Sequence, residues 1–84
     1  MSREDLYEKL NEVFGDVFDD EDIRVNDATT ADDIEDWDSL EHINLIVAIE
    51  KKFGMKFNMG EVSKFKNVGE MVDIILSRVQ EERV

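Results

Sequence analysis

Apolar residues near the start of the chain recur at spacings of three and four, which is the period of an amphipathic helix. They are Leu6, Leu10, Val13, Phe14, Val17 and Phe18. Ser2, followed three residues later by Asp5, is typical of a helix N-terminus, where a side chain accepts from a free backbone amide. The pattern therefore predicts a first helix whose apolar face ends near Phe18.

A second helix is predicted from about Ser39 to Phe53. At its start, the carboxylate of Asp38 can accept from the backbone of Glu41, while Glu41 reaches back in capping-box fashion. At its end stands Gly54, which can adopt the left-handed conformation that closes many helices. We expect clear boundaries at both ends.

The segment after this helix alternates apolar and polar residues over a stretch too short to form a sheet. Its apolar members are Met55, Phe57 and Met59. One short helical turn is predicted over residues 61–65. Met55, Met59 and Met71 are interpreted as adaptable fillers of the core.

A last helix is predicted after Asn67, which forms an N-terminal capping signal with Glu70. Its apolar face consists of Val68, Met71, Val72, Ile75, Leu76 and Val79. Residues 80–84 are expected to fray.

Residues 19–38 show no sustained period and form a long acidic loop, with a short helical turn expected after Thr30. Its isolated apolar residues are Ile23, Val25, Ile34 and Trp37. Connections of this length are uncommon in a compact domain unless they are functional or pinned by apolar contacts. The chain is thus predicted to be all-α: a small bundle of three main helices and a short fourth, with one long first loop.

The length of 84 residues allows a single domain over 1–84 with one modest core, and it argues against an enzyme with an enclosed active site. The 22 acidic residues outnumber the 10 basic ones, for a net charge of -12. This charge disfavours nucleic acid and favours basic protein partners. The first 50 residues hold 17 of the acids and 3 of the bases, so the negative electrostatic field is concentrated in one part of the molecule.

Cysteine is absent, so helix packing must supply the stability. No apolar run approaches the roughly 18 residues of a membrane span, and the start of the chain lacks an apolar signal region. We therefore expect a soluble, cytoplasmic monomer. The acids at positions 19–22 do not fit the ligand spacing of a calcium loop, so no dedicated metal site is expected.

Ser39 lies in the sequence Asp36-Trp37-Asp38-Ser39-Leu40-Glu41, at the first turn of the second helix and after a mobile acidic loop. A serine there can be merely a helix-start residue. However, Asp38-Ser39-Leu40 resembles the Asp-Ser-Leu motif of acyl and peptidyl carrier proteins. Residues 43–54 look like the second helix of that family, and the resemblance in element order spans nearly the whole chain.

The resemblance implies that a phosphopantetheinyl transferase moves 4'-phosphopantetheine from coenzyme A to Ser39, between Asp38 and Leu40. The thiol of the arm then holds acyl cargo as a thioester for delivery to ligases, synthases or acyltransferases of lipid, polyketide or other specialised pathways. The alternatives are an aminoacyl or peptidyl carrier, or an unmodified acidic interaction module. Trp37 and Asn44 depart from the fatty-acid-synthesis pattern and favour a specialised pathway.

The second helix carries more apolar surface than one packed face needs. Leu45, Ile46, Ile49 and Phe53 form one stripe, and Leu40, Ile43 and Val47 form another on the Ser39 side. The second stripe is either covered by the long loop and third helix, or left for a partner or the mouth of an acyl pocket. The resemblance favours a mixture of both. The predicted docking residues are Glu41, Ile43, Val47 and Trp37.

His42, the single histidine, is interpreted as a packed or hydrogen-bonded side chain. It lies three residues from Ser39 on the same helix, and such neighbours do not converge readily into a catalytic triad. We therefore expect a carrier that serves enzymes and is not itself a catalyst.

Overall fold

The computed structural model describes residues 2–82, and the regular structure in that range is helical. The four α-helices are α1 (Arg3–Phe18), α2 (Ser39–Phe53), α3 (Met59–Val62) and α4 (Val68–Glu82), with a single 3-10 turn at Ala31–Asp33. The predicted all-α bundle, with three main helices, a short fourth and a long first connection, is confirmed. Since α4 runs through Glu82 and residues 83 and 84 lie outside the described range, the fraying of 80–84 stays a prediction.

The ends of the long helices follow the capping signals of the sequence. The Ser2 side chain accepts from the Asp5 amide at 3.1 Å, so α1 begins at Arg3. Gly54 adopts the left-handed conformation at φ 64°, and its amide donates to the carbonyl of Glu50. A residue with a Cβ would be strained in this conformation, which explains why a glycine ends α2.

The capping box predicted for α2 is only half formed. The carboxylate of Asp38 accepts from the Glu41 amide at 2.9 Å, as expected. Glu41 does not reach back to the Asp38 amide; its Oε1 accepts from the Asn44 side chain at 2.9 Å. The Asp38 amide instead donates to the carbonyl of Asp36 at 3.0 Å.

The short helix begins earlier than the sequence pattern predicted, at Met59 rather than at residue 61. Asn58 caps it by accepting from the Glu61 amide at 2.9 Å, and Glu61 accepts from the Asn58 amide at 3.0 Å. This reciprocal pair sets the boundary and places residues 63–65 after the helix. Met59, at the first helical position, is 91% exposed, so its interpretation as a core filler was wrong.

The core lies where α1 packs against α2 and α4. Its buried apolar residues are Leu6, Leu10, Val13, Phe14, Phe18, Val25, Leu45, Ile46, Ile49, Phe53, Met55, Val68, Met71, Val72 and Ile75. The apolar face predicted for each long helix contributes to this set. Removal of these side chains from water is the main force that holds the bundle together.

Backbone contacts pin the long loop to α1 and α4. The Val25 amide donates to the Asn11 side chain of α1 at 2.8 Å. At the start of α4, the amide of Val68 donates to the Thr29 carbonyl at 2.8 Å, and that of Gly69 donates to the Asp27 carbonyl at 3.1 Å. These bonds satisfy α4 amides that have no partner within the helix.

Asp27 also joins the loop to α1 through its side chain. Its carboxylate accepts from the Tyr7 hydroxyl and from Arg3 at 2.7 Å, while Arg3 also contacts Asp73 of α4 at 2.9 Å. The hydrogen bonds from Tyr7 and then Arg3 hold the pKa of Asp27 below its ordinary range. Burial, followed by the bond to Asp27, raises the pKa of the Tyr7 hydroxyl.

Candidate functional site

Ser39 is the first residue of α2, and its side chain is exposed at the end of the long loop. The preceding residue, Asp38, has extended backbone and caps the helix through its carboxylate. Within residues 2–82, the amides of Ser39 and Leu40 have no hydrogen-bond acceptor. The hydroxyl is thus open to solvent beside two unpaired donors.

The electrostatics of this position contain two opposing contributions. Free amides and the helix dipole at the N-terminus of α2 favour a negatively charged group. The carboxylates of Asp36 and Asp38 oppose it, although that of Asp38 already accepts from the Glu41 amide. These contributions partly cancel. The position therefore tolerates a negatively charged group on the Ser39 hydroxyl, but its electrostatics alone do not require one.

A hydrogen-bonded histidine, His42, lies three residues after Ser39 on α2. His42 accepts at Nδ1 from the indole nitrogen of Trp37 at 3.0 Å, and its Nε2 lies 3.0 Å from the carbonyl of Val62. Since the carbonyl can only accept, the proton is assigned to Nε2 and the ring is neutral. His42 is thus a hydrogen-bonded side chain, as a lone histidine was expected to be, and it connects the loop, α2 and α3.

Ser39 lines an open groove of about 440 Å³. Trp37 and His42 line it from the loop and α2, while Val62 and Phe65 line it from the α3 side. Val62 and Phe65 were not among the predicted site residues, because the segment after Gly54 lacks a sustained period. The aromatic residues in that segment were the available signal that it packs near α2.

The second apolar stripe of α2 faces solvent. Leu40 is 67% exposed, Ile43 59% and Val47 44%. The alternative in which the loop and third helix cover this stripe is therefore wrong. The first stripe, Leu45, Ile46, Ile49 and Phe53, is buried in the core.

Two of the predicted docking residues are less exposed than this stripe. Glu41 is partly buried and bonded to Asn44. Trp37 directs its ring inward, with its centroid 5.4 Å from that of Phe14 in an edge-on arrangement. Hence Trp37 packs in the bundle and contributes only part of its surface to the groove.

Other features of the surface lack comparable chemistry. A larger hollow of about 610 Å³ lies between α1 and the loop, lined by residues such as Glu12, Asp16 and Arg24, and Ser39 is not part of it. In the part of the chain that the structure describes, no three side chains of the types His, Cys, Asp or Glu converge on a metal position. No helix within the described residues is long and apolar enough to cross a membrane.

Comparisons with known proteins identify the family of the chain. A family model described as "phosphopantetheine attachment site" matches residues 5–75. The acyl carrier protein of Petrotoga mobilis is 35% identical over 80 residues, which cover 94% of this chain and 93% of the relative. That of Thermosynechococcus vestitus is 31% identical, over 94% of this chain and 98% of the relative.

A solved structure has the same arrangement of helices. The solution structure of a holo acyl carrier protein from Geobacter metallireducens superposes with a TM-score of 0.86 at 40% identity. The match covers 92% of this chain and 88% of the other. The bundle with an exposed serine at a helix start is thus that of a phosphopantetheine-bearing carrier. The chain belongs to the acyl carrier protein family.

Members of this family carry 4'-phosphopantetheine covalently. The residues of this chain fit such a group, since an exposed hydroxyl at the start of α2 stands beside two unpaired amides that can donate to a phosphodiester. When attached, the arm supplies a thiol that carries acyl groups as thioesters. The family implies interaction with a phosphopantetheinyl transferase and with biosynthetic enzymes.

Proposed function

We propose that Ser39 is the attachment residue and that this chain delivers acyl thioesters to the enzymes of a specialised biosynthetic pathway. The observation that carries the assignment is the Asp38-Ser39-Leu40 motif, with its hydroxyl exposed at the first position of α2. In the attachment step, Ser39 Oγ forms a bond to the phosphorus next to the pantetheine. The bond from that phosphorus to the adenosine bisphosphate breaks, and the serine proton passes to the transferase.

Asp38 and Leu40 have separate roles in this proposal. Asp38 holds the start of α2 through its bond to the Glu41 amide, and so fixes the direction of the Ser39 side chain. Leu40 is exposed and adjoins the hydroxyl, where the transferase must bind. Neither residue reacts, and the chain acts as a substrate of enzymes rather than as a catalyst.

The surface for docking is proposed to be the outer face of α2. Ile43 and Val47 supply apolar contact area, and Glu41 supplies charge for a partner with a basic surface. Trp37 contributes the part of its ring that lines the groove beside Ser39. The net charge of -12 favours the approach of such partners from a distance.

The specialised pathway is proposed from Trp37 and Asn44, which depart from the pattern of the fatty-acid-synthesis members. Asn44 is exposed on α2 near the proposed docking surface, where it replaces an acid by a neutral amide. This changes the charge pattern that a partner meets. We also propose a cytoplasmic monomer, as expected for a small acidic carrier that visits several enzymes.

Intact mass spectrometry after incubation with coenzyme A and a broad-specificity transferase tests the site. We expect the mass of one phosphopantetheinyl group on the protein, and none on Ser39→Ala. Ser63→Ala is the matched control, since Ser63 is also exposed and lines the same groove. Modification that survives in Ser39→Ala refutes the assignment, and no modification of the unaltered protein favours the rival interaction module.

A further inference from the structure

The groove beside Ser39 has an aromatic floor that is continuous with the core. Trp37 lines the groove, and its ring also contacts Phe14, which is fully buried. The centroid of Trp37 is 6.1 Å from that of Phe18. The indole therefore lies between the groove beside Ser39 and the buried rings of the core.

His42 holds that floor in place. Its imidazole is nearly parallel to the indole, with an interplanar angle of 18° and centroids 5.9 Å apart. Both imidazole nitrogens are engaged, one by the Trp37 indole and the other by the Val62 carbonyl, each at 3.0 Å. One side chain thus fixes the loop and α3 against α2.

Phe65 extends the aromatic layer toward α3. Its ring centroid lies 6.3 Å from that of His42 in an edge-on arrangement, and Phe57 lies 5.5 Å beyond it. Arg78 of α4 adds a further restraint, since it forms an ion pair with Glu61 of α3. The short helix is therefore held down from two sides, although none of its residues is buried.

We propose that Trp37 and His42 form a closed floor beneath Ser39 that keeps the arm and its cargo in the outer groove. This inference rests on the proposed attachment at Ser39. A long alkyl chain gains free energy when it leaves water, but here it must displace closely packed rings to do so. It would also leave the indole donor and the Val62 carbonyl without partners.

The cargo class follows from this floor. Short or polar acyl groups lose little by remaining in an open groove, whereas long aliphatic chains would stay exposed to water. Trp37 and His42 are accordingly specificity-determining residues, which favour short or polar thioesters over long-chain ones.

The experiment compares two acyl forms of each variant. A broad-specificity transferase loads the unmodified protein from butyryl- or dodecanoyl-coenzyme A, and intact mass confirms each product. Melting temperatures are measured by circular dichroism for the unaltered protein, His42→Ala and the control Tyr7→Ala. Tyr7 is partly buried near the other end of the α1 face that carries Phe14, and it is not part of the groove.

We expect equal melting temperatures for the two acyl forms of the unaltered protein and of Tyr7→Ala. In His42→Ala, the dodecanoyl form should melt several degrees above the butyryl form, because the opened floor admits the longer chain. Since each comparison is made within one variant, a general loss of stability cancels. A higher melting temperature for the dodecanoyl form of the unaltered protein overturns the proposal, as does the absence of any difference in His42→Ala.

If His42→Ala does not fold, the unaltered protein still decides the matter. The chain has a single tryptophan, so the indole N–H resonance reports only on Trp37. Its chemical shift and slow solvent exchange should be the same in the butyryl and dodecanoyl forms. Rapid exchange in the dodecanoyl form alone shows that the floor opens and refutes the proposal. If no mass is added to the unaltered protein, the proposed attachment at Ser39 fails, and the floor proposal that rests on it fails with it. If the mass is added but the floor opens, only the floor proposal fails.

Discussion

Gly69 provides the sharpest test of how the long loop is held. It is the second residue of α4, and a Cβ built there would lie 2.8 Å from the carbonyl oxygen of Asp27 and 3.1 Å from its Cα. Ordinary contacts between heavy atoms are about 3.5–4.0 Å, so the Cβ overlaps backbone by roughly half an ångström or more. The loop must move, and the hydrogen bond from the Gly69 amide to Asp27 weakens.

The sign of the effect is opposite to that expected from helix propensity. Alanine is favoured over glycine inside a helix by about 1 kcal/mol, whereas forcing a methyl group into a filled site costs about 1–3 kcal/mol. We therefore expect Gly69→Ala to lose up to about 2 kcal/mol of unfolding free energy. For a domain of this size, that corresponds to a melting temperature lower by up to roughly 15 °C.

Gly60 is a matched control, since it is also the second residue of a helix. A Cβ there would meet only the Asn58 side chain, at an ordinary distance of 3.5 Å. Gly60→Ala should therefore leave stability unchanged or raise it by up to about 1 kcal/mol. Urea unfolding followed by circular dichroism measures both variants. A Gly69→Ala variant as stable as Gly60→Ala would refute the packing of the loop on α4.

Three further predictions concern acid stability and docking. Because the pKa of Asp27 lies below its ordinary value near 3.8, the network around it stabilises the fold above that pH and is lost as the pH falls through the lower folded value. Between neutral pH and about pH 3, urea unfolding should therefore show a larger loss for the unaltered protein than for Asp27→Asn, and equal losses would contradict this. Stopped-flow measurements with the transferase at low salt should show several-fold slower association for Glu41→Lys than for Glu8→Lys, which makes the same charge change on α1. Ile43→Ala should instead speed dissociation roughly fivefold, for a loss of about 1 kcal/mol of contact, and an unchanged dissociation rate would exclude this residue from the interface.

The long helices could be predicted because their signals are local. Ser2, Asp38 and Gly54 act on residues within one helical turn, and the apolar spacing of each helix selects its buried face. The short helix was misplaced because residues 54–66 contain too few turns for a period to emerge. The Asn58–Glu61 pair was the stronger signal, since it satisfies two backbone donors at once.

The groove could not be predicted in the same way, because its contacts join positions that are separate along the chain. The Val62 carbonyl, which accepts a hydrogen bond from His42, lies 20 residues after His42 in the chain. A backbone carbonyl has no signature in the sequence. Trp37 resembled a docking residue because it adjoins the motif. Its inward direction depends on the space beside Phe14, which only the packing of the whole bundle defines.

The residues around Ser39 therefore divide into two groups that respond differently to substitution. Asp38 caps α2, and Trp37 and His42 fill and connect the bundle, so their replacement alters the fold together with any chemistry at the serine. Ile43 and Val47 make no such contribution to the core and remain largely exposed. If substitution of Ile43 or Val47 weakens partner binding, the loss can be assigned to the interface itself, because the buried face of the same helix stays intact.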